Sequence, residues 1–194
     1  MFEPQIWKEV TAPPEAANCQ LCELAGSRRR VIWGEGNLEA PVLVLLDNPG
    51  ERETAEGIPY VCGTRTALQE AAAQAGLGER ELFVTYVLKC RPTRKYDKPA
   101  ARNICLGHLM SQLVRQKPRF VFCLGNVAVQ SFFGDSEAEV KLLRGRTHEV
   151  RGWRVLVSYH PLAVRRRPNL MPRFAEDWRL LASLLASEGS DERH

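Results

Sequence analysis

The sequence predicts a three-layer α/β/α domain around a central, mostly parallel four-stranded sheet. Two observations carry this expectation. Short apolar runs alternate with longer segments of helical periodicity, and several of the runs end directly in turn-forming residues. At 194 residues and 44% hydrophobic, the chain has the size and composition of one domain with a full core, expected over residues 1–187.

Residues 41–46, Pro-Val-Leu-Val-Leu-Leu, form an unbroken apolar run of the kind buried on both faces of a parallel sheet. Residues 67–75 have helical composition and close at Gly76, a C-cap signal. Strand character returns over 81–88 with Phe83, Val84, Tyr86 and Val87. Residues 99–116 place Leu106, Leu109 and Leu113 on one helical stripe, 119–124 read as a buried strand, and 126–133 as a helix after Gly125. Alternation of Trp153, Val155 and Val157 marks a strand over 151–158. The helix expected over 172–186 carries Trp178, Leu181 and Leu185, and residues 188–194 are expected as a polar tail.

Four cysteines are spaced as metal ligands. Cys19 and Cys22 form a C-x-x-C pair, and Cys90 and Cys105 lie far along the chain, so one ion or cluster would tie the N-terminus to the middle. Thiolates suit zinc and iron-sulfur clusters alike, and the spacing leaves both open. The first residues lack an apolar leader, and no run of about 18 apolar residues is present to span a membrane. A cytoplasmic address is therefore expected, which disfavours disulfides. Of the remaining cysteines, Cys123 reads as a small buried hydrophobe and Cys62 as a pocket-side residue.

The net charge of +4 is modest, but the bases are clustered. Arg28, Arg29 and Arg30 form one run, Arg91, Arg94, Lys95 and Lys98 another, and Arg165, Arg166 and Arg167 a third. A single such run is usually a solvated face; three of them beside candidate site loops fit a phosphate-backbone footprint. Ligands of parallel sheets bind at the carboxyl ends of strands. Two segments there carry chemistry: Asp47-Asn48-Pro49-Gly50 after the first strong strand, and Tyr159-His160-Pro161 after the last.

These segments resemble motifs of the uracil-DNA glycosylase superfamily, and most closely its family-four branch, which carries a four-iron four-sulfur cluster. The resemblance runs collinearly through Leu46-Asp47-Asn48-Pro49-Gly50, Gly57-Ile58-Pro59-Tyr60-Val61, Thr85 to Thr93 with Lys89-Cys90-Arg91-Pro92, Leu124-Gly125-Asn126-Val127-Ala128, and Tyr159-His160-Pro161. It implies a 4Fe-4S cluster on Cys19, Cys22, Cys90 and Cys105, with zinc as the alternative. It also implies a monomeric, membrane-free enzyme of base-excision repair acting on single- or double-stranded DNA, which hydrolyses the N-glycosidic bond of uracil or another deaminated base.

By the same resemblance Asp47, Asn48 and His160 are the catalytic residues, Tyr60 and Tyr86 contact the flipped base, and Arg165, Arg166 and Arg167 hold phosphates. Two departures stand out. Asp47 replaces the branch's glutamate, with Asn48 beside it as in the Asn-Pro-Gly loops of other branches. Tyr86 stands where the branch reads uracil with an Asn, and a phenol lacks the paired donor and acceptor of a carboxamide. The alternative reading is therefore a catalytically weakened iron-sulfur DNA-binding protein of the same fold.

Overall fold

The structure, a computed structural model, describes residues 2–51, 53–54 and 62–191. The elements run in the order β1 (Glu9–Val10), α1 (Pro14–Ala17), β2 (Gly34–Gly36), β3 (Val42–Leu46), α2 (Gly63–Gln74), β4 (Leu82–Tyr86), α3 (Lys98–Gln116), β5 (Phe120–Leu124), α4 (Asn126–Phe133), α5 (Val140–Leu143), β6 (His148–Val150), β7 (Trp153–Ser158), α6 (Pro161–Arg166) and α7 (Met171–Asp191). All seven strands join one sheet in the order β1-β2-β4-β3-β5-β7-β6.

The expected four-stranded parallel core is β4-β3-β5-β7, and β3, β4 and β5 are buried at every position. Side chains alternate between its two faces. Val42, Val44, Leu46, Phe122 and Leu156 meet Leu68 of α2, Val164 of α6 and Trp178 of α7. Leu43, Leu45, Phe83, Val121 and Val155 meet Leu109 and Leu113 of α3, Phe132 of α4 and Val140 of α5. Each sheet face is thus covered by helices, giving the three layers.

The sheet is wider than expected, because three short antiparallel strands flank the parallel core. β2 is Gly-Glu-Gly, a composition that carries no strand signal. Its pairing with β4 requires those glycines: a Cβ on Gly36, at φ +103°, would lie 2.5 Å from the Leu82 carbonyl oxygen. The strand expected over 151–158 starts instead at Trp153, since Arg151 and Gly152 both take positive φ and turn β6 back onto β7. α2 begins four residues earlier than expected, at Gly63, and the α7 backbone continues to Asp191, through residues expected in the tail.

Capping fixes the long helix on the opposite face. The Asp97 side chain accepts a hydrogen bond from the Ala100 N–H at the start of α3, and Lys117 in the left-handed region closes its end.

β3 connects through α2 to β4 on one side, whereas β5 leads through α4 toward β7 on the other. The chain therefore diverges between β3 and β5, and the crevice at their carboxyl ends is where such sheets bind ligands.

Candidate active site

Three strand ends meet at that crevice. Asp47 follows β3, Gly125 follows β5 and His160 follows β7. His160 Nε2 lies 3.5 Å from Asp47 Oδ1, so the structure brings together two of the side chains expected to act. His160 is also the N-cap of α6, its Nδ1 accepting the Leu162 N–H at 3.1 Å. With Nδ1 occupied as an acceptor, the neutral ring carries its proton on Nε2, facing Asp47.

Gly125 makes this geometry possible. It sits at φ +93° and ψ 160°, a region open essentially to glycine, and a Cβ there would lie 2.8 Å from His160 Cβ. Gly125→Ala is expected to destabilise the fold by about 1–3 kcal/mol, measurable by denaturant unfolding, and to displace His160. Behind β7, Ser158 Oγ donates to Asp177 Oδ2 at 2.5 Å, and Arg144 Nε donates to the same carboxylate at 3.0 Å. This buried brace joins the end of β7 to α7 one residue before Tyr159.

Asp47 is half-buried, and burial opposes its charge. The hydrogen bond from His160, with the backbone N–H groups of Asn48 and Asp47 itself, outweighs that penalty and holds the carboxyl below its usual range. A depressed folded-state pKa contributes stability above the unfolded value, lost as pH falls through the lower folded value. The stability difference between the protein and Asp47→Asn should therefore be largest above the ordinary Asp pKa and shrink below it. Carbon NMR titration of Asp47 should place its midpoint below an ordinary aspartate, and His160→Ala should raise that midpoint.

Asn48 donates from Nδ2 to the Pro49 carbonyl at 3.0 Å, and among the described residues its Oδ1 has no donor. The Asn48 backbone N–H donates to Asp47 Oδ1 at 2.8 Å. One carboxylate and one imidazole N–H thus meet at a strand-end crevice, with the Asn48 carboxamide on the adjoining residue.

Comparison with known proteins places this arrangement. Residues 33–182 match the sequence profile of the uracil DNA glycosylase superfamily. The chain belongs to that superfamily. It is 31% identical over 178 residues to a protein named Type-4 uracil-DNA glycosylase from Archaeoglobus fulgidus, covering 88% of this chain and 89% of the relative. Proteins of the same name from Pyrobaculum aerophilum, at 30% over 168 residues, and Thermotoga maritima, at 28% over 175, cover 82% and 88% of this chain and 86% and 91% of their own lengths.

The other expected site residues of this superfamily member are placed differently. Tyr60 lies outside the described residues. Tyr86 is only 2% exposed, and its hydroxyl accepts a 2.7 Å hydrogen bond from Arg65 Nη2. Arg65, on the first turn of α2, is equally buried and pairs with Glu35 of β2. Sequence reading missed Arg65 and Glu35; the available signal was a lone arginine amid the small residues of α2. Arg165, Arg166 and Arg167 are exposed at the end of α6, and the Arg165 guanidinium lies where a Gly63 side chain would be. Cys62 is the N-cap of α2 and its thiol donates to Glu53 Oε1 at 3.0 Å. Burial first, then Glu53, raises its pKa, so it stays a thiol.

All four candidate ligand cysteines are free thiols, drawn from three segments of the chain. Cys90 and Cys105 are buried with Leu24, Leu88 and Ala101, and Cys22 packs against them. Burial, then the proximity of Cys105, pushes Cys90 up to about 12, with Cys22 and Cys19 adding to the effect. Among the described residues, no three His, Cys, Asp or Glu side chains stand in an arrangement that holds a metal. The surroundings nonetheless fit a thiolate-bound group. Among the described residues Lys89, 1% exposed, gives its side-chain nitrogen only neutral acceptors, Thr85 Oγ1, the Tyr86 carbonyl and Gln112 Oε1, while its backbone N–H donates to Cys105 Sγ at 3.3 Å. Burial lowers the Lys89 pKa to about 7, and thiolate charge at Cys105 would favour its charged form. Cys123, wholly buried in the α3 and α4 layer, takes no part.

Proposed function

We propose that this protein is a monofunctional DNA glycosylase of base-excision repair, hydrolysing the N-glycosidic bond of uracil or another deaminated base. The observation that carries the reading is the Asp47 and His160 pair at the β3 and β7 ends, in a chain of this superfamily.

A base inside duplex DNA is unreachable, so the nucleotide must leave the stack for a pocket. The C1′–N bond then breaks with its electron pair leaving on the base, and the sugar acquires oxocarbenium character. Asp47 stabilises that cation and accepts a proton from the water that forms the new C1′–O bond. Asn48 orients the water through its open Oδ1. His160, its Nε2–H fixed by the α6 N-cap, donates to the base oxygen on which negative charge develops, which is stabilisation of the oxyanion-hole type.

Cys19, Cys22, Cys90 and Cys105 would hold a 4Fe-4S cluster, or zinc in its place, which ties residues near the N-terminus to β4 and α3. Its contribution is structural, and Lys89 supplies the adjoining positive charge. Tyr60 would stack on the base. No helix among the described residues is long and apolar enough to cross a membrane; a cytoplasmic monomer is the form proposed.

Arg165, Arg166 and Arg167 would contact phosphates of DNA. Replacing all three by Ala should weaken binding on every sequence alike and reduce the slope of log affinity against log salt by up to about three units. An unchanged slope in fluorescence anisotropy titrations would remove them from the interface. The function itself is tested with single- and double-stranded oligonucleotides carrying uracil, hypoxanthine or xanthine. Alkali-labile breaks at the lesion are expected; tight binding without breaks selects the catalytically weakened DNA-binding protein.

A further inference from the structure

Arg65 is a buried cation whose hydrogen-bonding capacity is only partly used. Its Nη2 donates to the Tyr86 hydroxyl at 2.7 Å, and the guanidinium lies 5.4 Å from that ring's centre. Its Nε stands 2.5 Å from Glu35 Oε1, an ion pair without hydrogen-bond alignment. Nη1 has no hydrogen-bond partner among the described residues. Native proteins rarely leave a buried charged donor unmatched, and an acceptor supplied by a ligand is one standard remedy.

The location decides which ligand. Tyr86 is in register with Leu46, the residue before Asp47, and the Leu88 N–H donates to the Asp47 carbonyl at 2.9 Å. Arg65 comes three residues after Cys62, where the loop that leaves β3 at Asp47 returns to α2. Arg65 and Tyr86 therefore stand beside the two ends of the loop that carries Asp47 and Asn48. Tyr86 and Glu35 hold the guanidinium from two sides, so its third face is fixed rather than free to seek water.

We propose that Arg65 is a specificity-determining residue of this site, its Nη1 donating to the carbonyl that deamination creates, O4 of uracil or O6 of hypoxanthine, and so selecting keto bases over amino bases. The inference rests on the glycosylase reading above and names its substrate class. A guanidinium only donates. Deamination converts the exocyclic amine of cytosine or adenine, itself a donor, into a carbonyl acceptor. A fixed, buried donor therefore pairs with uracil, hypoxanthine and xanthine alike, and leaves two donors facing each other when cytosine or adenine enters. Thymine carries the same carbonyl as uracil, so this contact does not separate those two.

The test compares the protein with the double variant Arg65→Met/Glu35→Gln, which avoids leaving the Glu35 carboxylate buried and unpaired, and with Tyr86→Phe, which removes the hydroxyl that fixes Nη2. Single-turnover base release is measured on matched oligonucleotides carrying uracil, hypoxanthine, cytosine or adenine, with thermal unfolding as the control for folding. Release of both keto bases is expected from the unaltered protein, falling on the order of tenfold to a hundredfold in the double variant, the effect of losing one charge-assisted hydrogen bond. Tyr86→Phe should show a smaller fall in the same sense. A folded double variant, or a folded Tyr86→Phe where the former does not fold, that keeps its keto rates would overturn the proposal. If the unaltered protein releases no base, the glycosylase reading fails, and Arg65 is judged by equilibrium binding to uncleavable 2′-fluoro oligonucleotides. A preference for uracil over cytosine that the variants abolish supports it; equal affinity for the two in the unaltered protein overturns it.

Discussion

Asp47→Asn is expected to lower the single-turnover rate of base release by on the order of a hundredfold, about 3 kcal/mol of transition-state stabilisation, with little change in DNA affinity. The substitution keeps the shape and a hydrogen-bonding oxygen, and removes only the charge. Because that carboxyl is held below its usual range with His160 beside it, the charge is present at every pH where DNA repair operates. His160→Ala should depress the rate comparably by removing the donor on the base side. Asn48→Ala divides the labour: a loss of similar size assigns water positioning to Asn48, and a harmless substitution leaves the chemistry to Asp47. Rapid-quench measurements at saturating enzyme read each of these rates directly.

The second large effect concerns the cysteines. Cys90→Ala is expected to bleach a broad absorption near about 400 nm in anaerobically purified protein and to destabilise the fold. A metal on Cys19, Cys22, Cys90 and Cys105 would cross-link segments otherwise held by packing and hydrogen bonds, so its loss should cost about 3 kcal/mol or more, on the order of 10 °C in Tm. Burial already lowers the Lys89 pKa to about 7, and losing the neighbouring thiolate charge should lower it further. A colourless protein with stoichiometric zinc and no iron would assign the site to zinc.

The parallel core was legible because its strands are continuous apolar runs ended by turn residues, and because α3 and α7 carry single apolar stripes. What escaped was structure dictated by backbone contacts. β2 consists of two glycines around Glu35, so it has no side-chain signature, and Arg151-Gly152 looks like strand until both adopt positive φ. The site divides in the same way. Asp47, Asn48 and His160 could be found from strand ends and motifs, whereas the Arg65, Tyr86 and Glu35 cluster could not, since its members come from α2, β4 and β2 and meet only through the fold. Tyr86 is expected to contact the base, and in the structure its hydroxyl accepts a hydrogen bond from Arg65, a partner that the sequence does not announce.

The central claim is that Asp47 and His160 are paired to break a glycosidic bond, and the most direct measurement is the free base itself. Incubating the protein with a uracil-containing oligonucleotide and quantifying released uracil by mass spectrometry should give one free base per abasic site, with release strongly reduced in Asp47→Asn. Stable binding of the lesion with no uracil released over hours, by protein carrying its full complement of metal, would contradict it.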